Sequence, residues 1–132
     1  MKKKVLDFLK NSGLNLDCDE VLTLLIKGSS LTEAQAETLL VEYASQFNDG
    51  KHDTVSKASI RGVSKGAYAR TKAQAINNIR QSIYTIMLLR YLGVLTDEGL
   101  ARLMEVAEKL GKGEIKEGLE LLHSMTWRDI TT

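Results

Sequence analysis

The chain has 132 residues, with no proline and one cysteine; 43% of the residues are hydrophobic and 27% are charged. This size and composition suit one compact domain, and they exclude a disordered chain, a disulfide-stapled scaffold and a collagen-like repeat. The net charge of +1 is unevenly distributed. Residues 1–50 hold 5 basic and 8 acidic side chains, residues 51–90 hold 8 and 1, and residues 91–132 hold 5 and 8. A middle third with such a basic excess favours a phosphate-bearing partner, above all nucleic acid.

Nothing in the sequence indicates export or a membrane span. Cys18 is the single cysteine, so no intramolecular disulfide can form, and its acidic neighbours Asp17 and Asp19 disfavour a reactive thiolate. The longest apolar run, residues 84–95, is interrupted by Arg90 and is shorter than the roughly 20 residues of a membrane span. The basic start of the chain is followed by too short an apolar stretch for a signal peptide. These features predict a cytoplasmic protein.

Apolar residues recur at helical spacing almost throughout, which predicts an all-α fold. Two short helices are expected in the first 28 residues, one ending near residue 11 and one over residues 17–27. A third helix over residues 31–48 opens with a capping box, Thr32 followed by Gln35. Its expected buried face consists of Ala36, Leu39, Leu40, Tyr43 and Phe47.

A turn at Asp49 and Gly50 leads into a short fourth helix over residues 54–61. Gly62 breaks this helix, and the side chain of Ser64 is suited to cap the next one.

The fifth helix is expected to be long, because the absence of proline lets it run from residue 65 to about residue 92, a span of roughly 40 Å. Gly93 ends it, and Thr96 opens a sixth helix. The buried stripe expected on the sixth helix is Leu100, Leu103, Met104, Ala107 and Leu110. A last helix is expected over residues 115–125.

One motif in the basic middle third carries functional meaning. Ala58 is followed at four residues by Gly62, and then by Val63 and Ser64. Alanine lets two helices cross closely, glycine tolerates a tight corner, and serine caps the second helix. Together with the segment LTEAQAETLLVEY from residue 31, this arrangement resembles the helix-turn-helix of regulators of the sigma-factor region 4 type.

The resemblance implies that the helix beginning at Ser64 enters the major groove of DNA with its first two turns. The outward positions that it implies are Ser64, Lys65, Ala69 and Arg70, with Lys65 and Arg70 as candidates for guanine contacts. The phosphate contacts that it implies are Lys57, Arg61, Lys72 and Arg80.

Helical spacing adds to this site independently of any family. Arg70, Gln74, Asn77 and Gln81 recur at intervals of four, three and four residues and can bond bases or backbone from one helix face. The opposite stripe is expected to face protein: Ala69 or Ala73, Ile76, Ile79, Ile83 and Ile86.

These patterns predict an all-α, multi-helix single domain that contains a helix-turn-helix and a long central helix. Its segments would be an N-terminal helical cap (residues 1–30), a helix-turn-helix core (31–92) and a C-terminal helical pair (93–132). The predicted function is sequence-specific or architectural binding of duplex DNA, by a small transcriptional regulator or nucleoid-associated factor.

Two alternatives stay open from the sequence: a helical adaptor or antitoxin-like module that docks an acidic protein on its basic face, and a binder of structured RNA. The run YTIMLLRYLGVL, from residue 84, suits either a buried central helix or the seam of a homodimer. No cofactor and no metal are expected, because His52 and His123 have no second ligand at metal spacing. No phosphate loop or catalytic constellation is recognisable, so no enzymatic activity is expected.

Overall fold

The computed structural model describes residues 1–14, 19–48 and 52–132, and this part of the chain is all-α, without a strand. The prediction of an all-α fold with a long central helix is confirmed. The helices are α1 (Lys3–Asn11), α2 (Asp19–Gly28), α3 (Glu33–Ser45), α4 (Thr54–Arg61), α5 (Lys65–Tyr91), α6 (Asp97–Gly111), α7 (Ile115–Ser124) and α8 (Trp127–Thr131). A single 3-10 turn, Gln46–Asn48, extends α3. The interpretations that concern Cys18 and the turn at Asp49 and Gly50 lie outside the described residues.

The chain divides into two compact units, Met1–Gln81 and Ser82–Thr132. The division falls within α5, where the sequence carries no glycine or proline to mark it, and not at residues 30 and 92. None of the described helices is long and apolar enough to cross a membrane.

The core of the first unit is formed where α1, α3 and α4 meet the start of α5. Its fully buried members are Val5, Leu9, Val41, Ala44, Ala58 and Tyr68. Val63, directly after the turn, packs against this cluster. Burial of these side chains fixes the position of the turn between α4 and α5, because the residues on both sides of it contribute to one core.

Helix α3 begins as predicted, but it buries a different face. The side chain of Thr32 accepts the backbone N–H of Gln35 at 3.1 Å, and the side chain of Gln35 accepts the N–H of Thr32 at 3.2 Å, so the capping box is confirmed. The expected burial of Tyr43 and Phe47 is wrong: both rings are exposed and contact each other edge to face. The buried face consists of Ala36, Glu37, Thr38, Val41, Ala44 and Ser45. Small residues allow the close approach of α1 and α4, which leaves the large rings outside.

The turn between α4 and α5 has the geometry that its sequence predicts. Gly62 has a φ of +70°, the left-handed conformation that glycine adopts without steric cost. The N–H of Val63 returns to the carbonyl of Ala58 at 3.0 Å. The Ser64 hydroxyl accepts the N–H of Ala67 at 3.1 Å and so caps α5.

In the second unit, α6 packs against α7 and α8. Gly99 is required at the α8 contact, because a Cβ there would overlap the carbonyl of Ile130. The expected burial of Met104 and Ala107 is wrong, since both are exposed; Val106 is the buried residue of this helix turn. Because α6 packs against both α7 and α8, its buried residues do not coincide with its most hydrophobic stripe.

Helix α8 was not predicted from the sequence, although Thr126 and Asp129 carry its signal. Their side chains and backbone amides form a reciprocal capping box.

The isoleucine stripe of α5 is also not where it was expected. Ile76, Ile79, Ile83 and Ile86 are all exposed, so the prediction that these four face protein within the chain is wrong. Within the first unit, α5 instead buries Tyr68 and Ala75.

Candidate nucleic-acid interface

The first half of α5 presents a polar, basic surface to solvent. Arg70, Asn77 and Arg80 are exposed, and their spacing of seven and three residues places them on one helix face. Ser64, Lys65 and Gln74 are also exposed, at the start of the helix and beside this face. Six of the nine predicted site residues are therefore available to a partner. We call the exposed set Ser64, Lys65, Arg70, Gln74, Asn77 and Arg80 the reading surface.

A strip of small residues lies between the side chains of the reading surface. Gly66, Ala69 and Ala73 recur on the face that carries Arg70, and all three are exposed. The guanidinium of Arg70 extends over Gly66, where a Cβ would lie 3.6 Å from Nη1. The backbone of α5 is thus accessible along this strip, between longer side chains that can donate hydrogen bonds.

Arg61 does not belong to this surface. The residue is only 4% exposed, and its Nη2 lies 3.8 Å from Oε1 of the equally buried Glu37. Lys2 connects to both residues: its backbone N–H donates to Glu37 at 3.1 Å, and its Nζ donates to the carbonyl of Arg61 at 2.7 Å. The predicted phosphate contact at Arg61 is therefore wrong, because the last turn of α4 faces α1 and α3.

Lys57 and Lys72 converge on one carboxylate, that of Glu42. Lys57 Nζ lies 2.9 Å from one carboxylate oxygen of Glu42, and Lys72 Nζ lies 3.3 Å from the other. The buried Tyr68 hydroxyl donates to the same carboxylate at 2.9 Å. We call these four residues the Glu42 cluster. It joins α3, α4 and α5, and so holds both helices of the motif on the preceding helix.

Titration of the Glu42 cluster follows from these contacts. Burial opposes ionisation of Glu42, but hydrogen bonds from Lys57 and Tyr68 and the charges of both lysines outweigh it and lower the pKa of the carboxyl. Burial, followed by the hydrogen bond to Glu42, raises the pKa of Tyr68. At neutral pH the cluster therefore holds the carboxylate of Glu42 and the neutral phenol of Tyr68.

The two lysines of the Glu42 cluster differ in access. The side chain of Lys57 is 14% exposed and that of Lys72 is 41% exposed. The Lys72 side chain is therefore accessible from solvent at the margin of α5, whereas Lys57 is held inside the fold.

Sequence reasoning missed Glu37 and Glu42 as members of this region. Both lie on α3, and the local sequence around each of them predicts a solvated carboxylate. The one available signal was that Tyr68 occupies a core position of α5. A buried phenol hydroxyl needs a hydrogen-bond acceptor, which a neighbouring helix has to supply.

The described residues contain no group of three or more His, Cys, Asp or Glu side chains arranged to hold a metal ion. His52 contacts Phe8 edge to face, and its Nδ1 lies 2.9 Å from the hydroxyl of Ser56. That pairing gives the ring a structural position at the start of α4.

Comparison of the chain with protein-family models, with curated proteins and with solved structures gave no match.

Proposed function

We propose that this protein binds duplex DNA through α4, the turn at Gly62 and α5, with the first turns of α5 in the major groove. The observation that carries the proposal is the reading surface: an exposed helix face with Arg70, Asn77 and Arg80, on a helix without a single acidic residue. The proposed role is that of a small transcriptional regulator or nucleoid-associated factor. In this proposal the protein has no catalytic activity and acts in the cytoplasm.

Shape supports this proposal. The major groove of B-DNA is about 12 Å wide and admits an α-helix, provided that the helix can approach the base edges closely. Gly66, Ala69 and Ala73 supply that close approach. A basic face that merely increases solubility has no need for three small exposed residues at helical spacing.

The chemistry of the side chains divides the proposed contacts. Arg70 and Lys65 are candidates for guanine O6 and N7, because they lie in the first two turns, where recognition helices contact bases. Asn77 and Gln74 carry amides that can pair with adenine edges or with the backbone. Arg80 and Lys72 are proposed to contact phosphates, which fix position without selecting sequence.

A steric substitution tests the proposed approach of the helix. Ala69→Leu adds bulk at an exposed position, so we expect unchanged stability and an affinity for duplex DNA at least about tenfold lower. Ala101→Leu is the matched control, because Ala101 is an exposed alanine on α6. Fluorescence anisotropy with a labelled mixed-sequence duplex gives both affinities. Equal binding by the wild type and Ala69→Leu would refute a close approach at this strip.

Selection of bound duplexes from a random pool tests sequence reading. For an enriched site we expect Arg70→Ala to cost roughly 1 to 3 kcal/mol and to relax discrimination at one base pair. An equal loss on every sequence would make Arg70 a phosphate contact. Tighter binding to a structured RNA than to any duplex would favour RNA as the partner. Binding to an acidic protein with no affinity for either nucleic acid would favour the interaction module.

A further inference from the structure

A pocket of about 400 Å³ lies between α1, α2 and the start of α3. This volume is within the range of roughly 300 to 1,000 Å³ that is typical of small-molecule sites. Four aliphatic side chains line the pocket, and each stays partly accessible to solvent: Leu6, Leu22, Ile26 and Leu31. A ligand with an apolar body would remove these side chains from water, which favours binding.

Hydrogen bonds hold the wall of the pocket at Leu31 in place. The N–H of Leu31 donates to the hydroxyl of Ser29 at 3.2 Å, and the carbonyl of Ser30 accepts from the side-chain amide of Asn78 on α5 at 2.6 Å. The wall at Leu6 is held by packing, because this residue directly follows a fully buried core residue of α1. Two walls of the pocket are therefore fixed without a ligand, so that binding requires little ordering of the protein.

The charges at the pocket favour a negatively charged ligand. Glu33 lines the pocket, but its carboxylate lies 2.6 Å from the amino group of Met1. The hydrogen bond between them lowers the pKa of Glu33 and raises the pKa of the amino group. Lys27 also lines the pocket, and within the described ranges it forms no ion pair. Because the carboxylate of Glu33 is already paired, the basic side chain of Lys27 is left to attract an anion.

We infer that this pocket binds a small aliphatic carboxylic acid. Its hydrocarbon chain lies against the four aliphatic side chains, and its carboxylate lies at Lys27. An aliphatic amine of the same length would fill the same space but would be repelled by Lys27. The inference concerns the first three helices, requires no DNA and does not depend on the proposed function.

Isothermal titration calorimetry of the full chain with decanoate tests the inference. We expect one decanoate to bind per chain, and decylamine, which has the same hydrocarbon chain and the opposite charge, to bind roughly tenfold more weakly. Lys27→Gln should lower the affinity for decanoate about threefold, because the ion pair forms at an exposed side chain. Lys10→Gln is the matched control, since Lys10 is an exposed lysine of α1 outside the pocket; it should leave the affinity unchanged.

A steric substitution tests the position of the hydrocarbon chain. Ile26→Trp adds bulk inside the pocket, so we expect the affinity for decanoate to fall at least about tenfold. Leu24→Trp is the matched control, because Leu24 is exposed on the same helix and does not line the pocket. Leu22→Trp provides a second test should Ile26→Trp lose its helical circular dichroism.

No binding of decanoate by the wild type at about 1 mM would overturn the inference. Equal affinities of Ile26→Trp and Leu24→Trp would overturn it as well. Decylamine that binds as tightly as decanoate would overturn the assignment of a carboxylic acid. Binding that is lost in Met87→Glu but kept in Ile26→Trp would place decanoate on the exposed apolar part of α5, where Met87 lies, and would refute the pocket.

Discussion

At the scale of single residues, the most informative side chain is Glu42. Lys57 and Lys72 are readily identified from the sequence as basic residues near the turn at Gly62, but the carboxylate that they share is not. It belongs to α3, where local pattern predicts a solvated position. Only the packing of α3 against α4 and α5 turns this residue into the link between the helices of the motif. Side-chain chemistry can thus be predicted from sequence, while side-chain partnership depends on the tertiary fold.

Removing the charge of Glu42 should weaken the fold. Glu42→Gln retains an acceptor for the Tyr68 hydroxyl but loses the ionic contacts with Lys57 and Lys72. We expect the free energy of unfolding to fall by about 1 to 3 kcal/mol at pH 7, the range for hydrogen bonds to charged groups. Urea denaturation followed by circular dichroism measures it. Glu105→Gln, an exposed change on α6, should stay within about 0.5 kcal/mol of the wild type.

The difference in unfolding free energy between the wild type and Glu42→Gln should depend on pH. The pKa of Glu42 in the folded state lies below the ordinary 4.5, so folding favours the carboxylate. Its contribution is complete above that value and is lost as the pH falls through the lowered pKa of the folded state. The difference in unfolding free energy between wild type and Glu42→Gln should therefore be constant from neutral pH down to mildly acidic pH and then narrow. A difference that persists unchanged after the carboxyl is protonated would contradict this account.

Alanine variants of Arg61 and Arg80 should have opposite effects: one should lower stability, and the other should lower the affinity for DNA. Arg61→Ala leaves Glu37 buried without its cation, so we expect a loss of about 3 kcal/mol in unfolding free energy. Arg80→Ala removes the same charge from an exposed site and should change stability by less than about 0.5 kcal/mol while weakening DNA binding. Thermal or urea unfolding, together with anisotropy, distinguishes the two. Full stability of Arg61→Ala with weakened DNA binding would restore Arg61 to the interface.

At the scale of elements, signals that act within a few residues are predictable from sequence. The capping box at Thr32, the corner at Gly62 and the cap at Ser64 all form as expected, because each depends on neighbouring backbone groups. The buried faces of α3 and α6 were not predictable, since packing against two partner helices favours small residues such as Ala44 and Gly99 over the most hydrophobic stripe. The polar and basic face of early α5 was likewise recognisable from the sequence, but the burial of Arg61 on α4 was not.

Gly62 gives an element-scale prediction. Its φ of +70° disfavours side chains, yet a Cβ there would meet nothing within 4 Å. The cost of Gly62→Ala is therefore conformational, about 1 to 2 kcal/mol of unfolding free energy. Gly62→Asn should cost less, because asparagine tolerates the left-handed conformation. Equal stability of all three proteins in urea denaturation would show that the turn relaxes to another geometry.

At the scale of the whole molecule, the near-neutral total charge conceals how the chain is organised. The described basic residues of the middle third divide into four groups: Arg61, which is buried; Lys57 and Lys72, which share Glu42; Arg90, which is paired with Asp97; and the exposed cations of the reading surface. The basic excess of this segment is evident from the sequence, but which of its cations are buried, paired or exposed depends on the tertiary fold. The sequence also left open whether the apolar end of α5 is core or a dimer seam, and most of its large side chains are exposed within the described chain.

The most direct test of DNA binding is a salt titration of affinity for a mixed-sequence duplex. We predict that the logarithm of the association constant falls linearly with the logarithm of salt concentration, with a slope of about −0.9 per phosphate contacted. Arg70→Ala should weaken binding, whereas Arg128→Ala, which removes the same charge from an exposed site on α8, should not. No binding at about 50 mM salt, or equal losses in the two variants, would contradict DNA recognition by α5.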